Sequence, residues 1–242
     1  MTHTPEPSAG PMDSIDDAPA DSDIVARAIV VPITSPGSVV PATTAAGTVR
    51  KRPKAGERRV QILQTLASML EQPGAERITT AALAAKLDVS EAALYRHFAS
   101  KAQMFEGLIE FIEQTVFTLI NQIHEREADA AAQVQKVLTV LLQFAEKNPG
   151  MVRVMVGDAL VFENDRLMQR MNQFFERFES QLRQSLRDRA EAAGSTTPTV
   201  DANVQASVLT SFVVGRLQRF ARSGFKRSPT EHLDAALHLL TP

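Results

Sequence analysis

Three features of this sequence predict an all-α protein. Helical hydrophobic periodicity runs from about Gly56 to the end of the chain, four helix-start signals fall within about fifty residues, and no stretch alternates strongly enough to be a strand. The elements follow in order. Residues 1–49, rich in Pro, Ala, Thr, Ser and Asp, show neither period and are expected to form a disordered acidic tail, too poor in apolar surface to offset the entropy of ordering. Val60, Leu63, Leu66, Ala67 and Leu70 share one face of a first helix that Pro73 and Gly74 end. Thr79 or Thr80 caps a short second helix, TAALAAKL, and Ser90 caps a third with Glu91 in its first turn, where a carboxylate suits the helix dipole. Ser100 opens a fourth, with Gln103 completing an S-x-x-Q capping box.

Beyond Lys101 the helices lengthen. Apolar positions run from Met104 to Ile123 and from Val134 to Phe144, and the chain is expected to break at Asn148, Pro149 and Gly150. Leu167, Met171, Phe174, Phe175, Phe178, Leu182 and Leu186 then trace a wide stripe, and two further helices are expected over about 200–222 and 230–240. The predicted organisation is a tail (1–49), a basic arm with a three-helix unit (50–104) and a larger helical body (105–242).

Composition narrows the function. The chain has no cysteine, which removes disulfides, thiolate metal sites and a cysteine nucleophile. Its start lacks the pattern of a signal peptide, and no uncharged apolar run reaches the roughly 20 residues that span a bilayer, so a cytoplasmic address is expected. The net charge of −2 is unevenly spread. Residues 1–49 hold six acidic side chains and one basic, whereas residues 50–104 hold ten basic and five acidic. The positive charge thus gathers on the segment with the short helices, which suggests a polyanion partner. No nucleophile elbow or phosphate-binding loop is present, so neither an enzyme nor a cofactor is expected.

The stretch DVSEAALYRHFASK supplies what a helix-turn-helix needs: two short helices, a tight turn, and a second helix with small residues near its start. Such a helix enters the major groove, about 12 Å wide, by its N-terminal end, and Ala92 and Ala93 there can approach thymine methyls. Thr79, Thr80, Ser90, Tyr95, Arg96, His97 and Lys101 carry hydroxyl, guanidinium, imidazole or ammonium groups for phosphate contact. Phe98, Leu83, Leu87, Val89 and Leu94 are assigned to the core that fixes the angle between the helices. Arg50, Lys51, Arg52 and Lys54 form either an arm for the minor groove or a solvated linker.

ITTAALAAKLDVSEAALYRHFASKAQMF resembles the DNA-binding domain of TetR-type repressors. Within that superfamily LIEFIEQ, FAEKNPGMVRVMVGDALVFENDRL, MNQFFERFESQLRQSL and FKRSPTEHLDA are similar to SlmA-type nucleoid occlusion factors. The similarity spans about 58–240 and leaves the tail outside it. One departure is Asp88, where many members of the superfamily carry glycine; Asp tolerates a left-handed backbone better than most residues, so the turn is expected to survive.

The resemblance implies a homodimer on palindromic double-stranded chromosomal DNA, possibly of higher order there, that engages FtsZ and opposes division-ring assembly over the nucleoid. It implies a partner surface where Phe111, Lys147 and Asn148 match the family pattern, whereas Leu119, Val140 and Gln143 depart from it. Phe111 is equally a candidate core aromatic. Val204, Val208, Phe212, Val213, Leu217 and Phe220 are expected to form the dimer patch.

Bland readings are preferred elsewhere. The Leu167 to Leu186 stripe is taken as core rather than an inducer pocket. HEREA at His124 lacks the second histidine of a metal motif and is taken as an exposed helix end. The alternative functions are a ligand-responsive TetR-type transcriptional repressor and a helical scaffold with a vestigial DNA-binding unit.

Overall fold

The computed structural model describes residues 55–72 and 77–241. Among the described residues the chain forms α1 (Ala55–Leu70), α2 (Thr80–Lys86), α3 (Glu91–Tyr95), α4 (Lys101–Arg126), α5 (Ala130–Lys147), α6 (Pro149–Met155), a 3₁₀ turn (Asp158–Leu160), α7 (Asp165–Ala192), α8 (Pro198–Arg222) and α9 (Leu233–Leu240). The all-α expectation holds. No described helix is long and apolar enough to cross a membrane. The tail and the arm residues Arg50, Lys51, Arg52 and Lys54 lie outside the described residues.

Helices α1 to α3 form the small N-terminal unit, and α4 runs from it into the body. There α7 and α8 lie along one another, α5 packs against α7, and α4 fits between α5 and α7. The stripe of α7 faces inward: Leu167, Met171, Phe174, Phe178, Leu182 and Leu186 are all buried, with Phe174 5.3 Å from Phe117 of α4 between ring centroids. Buried phenylalanines of this kind each contribute about 1.5–3 kcal/mol of burial.

Three expectations are corrected. Val60 is 52% exposed rather than on the packed face of α1. It precedes Ala67 by two turns on the same side, and α6 meets the C-terminal end of α1, at Ala67 and at Glu71 just beyond it. The break at Asn148, Pro149 and Gly150 is a single residue wide. Pro149 starts α6, because proline's missing N–H costs nothing in a first turn and its fixed φ suits a helix. Gly150 is needed there, since a Cβ on it would lie 2.0 Å from the Ala67 carbonyl oxygen. The crossing ties the N-terminal three-helix unit directly to the body. Finally, His124 is half-buried rather than on an exposed end: its Nε2 lies 3.4 Å from the Ser185 hydroxyl, which donates to Gln133 at 2.8 Å. Burial pushes its pKa below the usual histidine value.

Candidate nucleic-acid interface

The two short helices are fixed by local chemistry. Thr79 is the N-cap of α2, its hydroxyl accepting from Ala82 N at 3.1 Å. At the other end, Asp88 adopts the left-handed conformation with φ of 55°. Its N–H donates to Ala85 O at 3.2 Å and Val89 N–H to Ala84 O at 3.1 Å, the paired bonds of a Schellman ending. The turn survives without glycine, as expected. Ser90 then caps α3, accepting from Ala93 N at 3.3 Å. Ser100 caps α4 through Gln103 N at 3.2 Å, while the Gln103 side chain accepts from Ala99 N rather than from the cap residue itself.

Leu83, Leu94 and Phe98 are each 1% exposed and anchor the unit, with Leu87 and Val89 packed against them. What remains outside is the candidate reading surface. Thr79, Ser90, Ala92, Tyr95 and Arg96 are exposed, and Ala93 and His97 are half-buried beside them. The Tyr95 ring, 45% exposed, is the largest side chain presented. Hydroxyl, phenol and guanidinium donors therefore surround a patch narrow enough for close approach to base edges.

Two candidates are already engaged. The Thr80 hydroxyl donates to Glu91 Oε2 at 2.6 Å, stapling the starts of α2 and α3. In this conformation the Thr80 proton is directed to Glu91. Lys101 forms an ion pair with Glu163, in the segment leading into α7.

Arg59 was not among the site candidates. Its Nη1 donates to His97 O at 2.8 Å and its guanidinium lies 4.1 Å from the centroid of the Phe98 ring, so α1 holds the residues that follow α3. The 38 residues separating Arg59 from His97 hide this contact from any local pattern.

The candidate partner residues are not equivalent. Lys147 is exposed at the end of α5, and Phe111 is half-buried with its ring 6.5 Å from Phe144. Asn148 is buried, 8% exposed, and its amide donates to Phe144 O at 2.8 Å. Its side chain closes the end of α5. Leu119 and Val140, 4% and 2% exposed, are core.

Helix α8 has two apolar faces where one was expected. Val213, Leu217 and Phe220 line up with Ala202, Ala206 and Leu209 and are buried within the protomer, which corrects their assignment to the dimer patch. Val204 and Val208 are 62% and 50% exposed, Val200 precedes them one turn earlier at 59%, and Phe212 continues the row half-buried. The spacing of four residues keeps them on one side of the helix.

Residues 62–108 match the profile described as bacterial regulatory proteins, tetR family, and residues 128–242 match a tetracyclin repressor-like C-terminal domain. The chain is 54% identical over 189 residues to the nucleoid occlusion factor SlmA of Photobacterium profundum, covering 78% of this chain and 96% of that protein. It belongs to the SlmA family of nucleoid occlusion factors. The SlmA of Vibrio vulnificus strain YJ016 is 53% identical over the same share of each chain. Among solved structures, the transcriptional regulator FadR from Bacillus subtilis in complex with stearoyl-CoA superposes with a TM-score of 0.61 at 15% identity, over 75% of this chain and 97% of that one, a likeness of fold alone. The SlmA and TetR matches place the short helices described above inside a DNA-binding domain.

Proposed function

We propose that this chain acts as its SlmA relatives are named to act: as a nucleoid occlusion factor that binds palindromic chromosomal sites and, so bound, antagonises FtsZ assembly over the nucleoid. The observation that carries the reading is the 54% identity extending over 96% of a relative of that name. The surface is of the right kind. Ser90, Ala92, Ala93, Tyr95 and Arg96 form the tip that enters the major groove, with Thr79 and His97 on flanking phosphates. Base contacts by the alanines are few, so phosphate contacts supply most of the affinity and set its salt dependence. The protein performs no bond-making step in this role, and it needs no cofactor.

Pairing of two chains through Val200, Val204, Val208 and Phe212 of α8 buries a continuous apolar row and sets two recognition helices about a two-fold axis. Half-sites about 34–36 Å apart on one DNA face match that geometry. FtsZ engages the region of Lys147, one turn of α5 beyond Phe144, and of Phe111 on α4, whose ring lies 6.5 Å from that of Phe144. Coupling of the two activities requires that DNA change the affinity for FtsZ or gather several copies on one duplex. The address that follows is the nucleoid within the cytoplasm.

The test is FtsZ polymer formation with this protein and its selected palindromic duplex, set against a scrambled duplex. Inhibition that depends on the palindrome is the expected result; equal effects of the two duplexes would refute DNA-coupled control. Lys147→Glu should weaken FtsZ binding and leave duplex affinity unchanged, and a variant that still binds FtsZ fully moves the contact elsewhere.

A further inference from the structure

Lys101 stands at the first position of α4, directly after the helix-turn-helix, yet its ammonium turns to the body and meets Glu163. The pair is partly withdrawn from water, with side chains 25% and 10% exposed. Around it, α4 and α7 are joined by two more pairs: Arg166 to Glu106 at 2.7 Å, and Arg170 to both oxygens of Glu113 at 3.0 and 2.5 Å. The segment that carries Glu163 is otherwise turned outward. Between the buried Leu160 and Leu167, every residue from Val161 to Arg166 is exposed except Glu163. Val161 and Phe162 are 66% and 67% exposed, so most of their apolar surface is left in solvent.

We propose that Glu163 is a positioning residue for DNA binding that competes with DNA phosphate for Lys101, so that DNA binding draws the ammonium away and loosens the Val161 to Asn164 segment ahead of α7. This deepens the DNA-binding role proposed above and rests on it. One ammonium cannot serve a protein carboxylate and a phosphate with full strength at once, because each draws it along a different direction. The free protein therefore holds Lys101 in reserve, and the affinity gained from its phosphate contact is reduced by the cost of leaving Glu163. The same exchange removes the side-chain tie at Glu163, while Arg166 stays paired with Glu106 and holds the start of α7. A DNA-dependent change thereby reaches Val161 and Phe162 on the body.

The experiment is a double-mutant cycle on the full chain with the selected palindromic duplex, measured at one fixed salt concentration. Glu163→Gln should tighten binding severalfold, up to about 5-fold if the pair contributes at the upper end for partly exposed pairs. In a Lys101→Met background the same substitution should have no effect, since nothing is left to release. Tightening of equal size in both backgrounds would mean that Glu163 merely repels DNA, and would overturn the proposal. No tightening in either background would also overturn it.

Amide hydrogen exchange gives a second, independent readout in the unmodified protein. Residues 161–164 should exchange faster when duplex is added, and should already be fast in Glu163→Gln without DNA. Unchanged exchange on DNA binding would show that Lys101 stays with Glu163. Failure of the unmodified protein to prefer palindrome over scrambled duplex would instead remove the DNA-binding role itself, and this proposal with it.

Discussion

Gly150→Ala tests the crossing of α1 and α6, on which the placement of the DNA-binding unit depends. An added Cβ would lie 2.0 Å from Ala67 O and 2.9 Å from Ala67 C. An ordinary contact between carbon and carbonyl oxygen is about 3.3 Å or more, so the two backbones must part by about 1.3 Å. Neither atom is the end of a flexible side chain, and relief requires a shift of whole helices. Overpacking of this sort costs about 1–3 kcal/mol, and the backbone hydrogen bond from Gly150 to the Glu71 carboxyl, worth about 1 kcal/mol, is lost as the helices separate. Alanine's helix propensity returns at most about 1 kcal/mol.

The net expectation is a loss of about 1–3 kcal/mol. For a folded region of this size, with about 2–4 °C lost per kcal/mol, Tm falls by about 2–12 °C. Gly107→Ala is the control: its Cβ would meet Leu63 Cδ1 and Cδ2 at 3.1 Å, the ends of a side chain that can turn aside. There the propensity gain and the small repacking cost nearly cancel, and Tm should stay within about 2 °C. Thermal unfolding followed by helical circular dichroism, at one protomer concentration, decides between them. If Gly150→Ala melts with the unmodified protein, or if both substitutions cost the same, the close crossing is wrong.

Further outcomes are expected. Asp88→Gly should preserve or raise stability by up to about 1 kcal/mol, because it relieves a left-handed non-glycine residue, whereas Asp88→Val should lower it clearly in a urea titration. Val204→Asp combined with Val208→Asp should give a folded monomer by sedimentation, with unchanged helix content, and weaken palindrome binding far more than half-site binding; a dimer that persists would move the interface off this face. Stability should also fall with acid through His124. Burial holds its folded pKa below the ordinary value, so the unfolded chain takes up the proton first. The contribution is intact above about pH 6.5, declines as pH drops from there toward the lowered folded pKa, and then levels off. The urea midpoint of His124→Gln should lack that component of the change between neutral and mildly acidic pH, and an identical pH dependence would refute it.

The caps at Thr79, Ser90 and Ser100, the left-handed Asp88 and the inward stripe of α7 were legible in the sequence because each is decided within a few residues. A capping hydroxyl reaches an N–H three positions on, and a Schellman ending spans six residues. Helical period likewise reports a face without knowledge of what covers it. Tertiary structure alone decided the rest. Arg59 meets His97 across 38 residues and Lys101 meets Glu163 across 62, distances at which no spacing rule operates. On α8 the sequence offered one run of apolar residues, and only the packing of α7, α5 and α6 against it determined that Val213, Leu217 and Phe220 turn inward while Val200, Val204 and Val208 stay in solvent. Side-chain chemistry fixes which surfaces seek burial, but which of two apolar faces is covered depends on the helices that arrive from elsewhere in the chain.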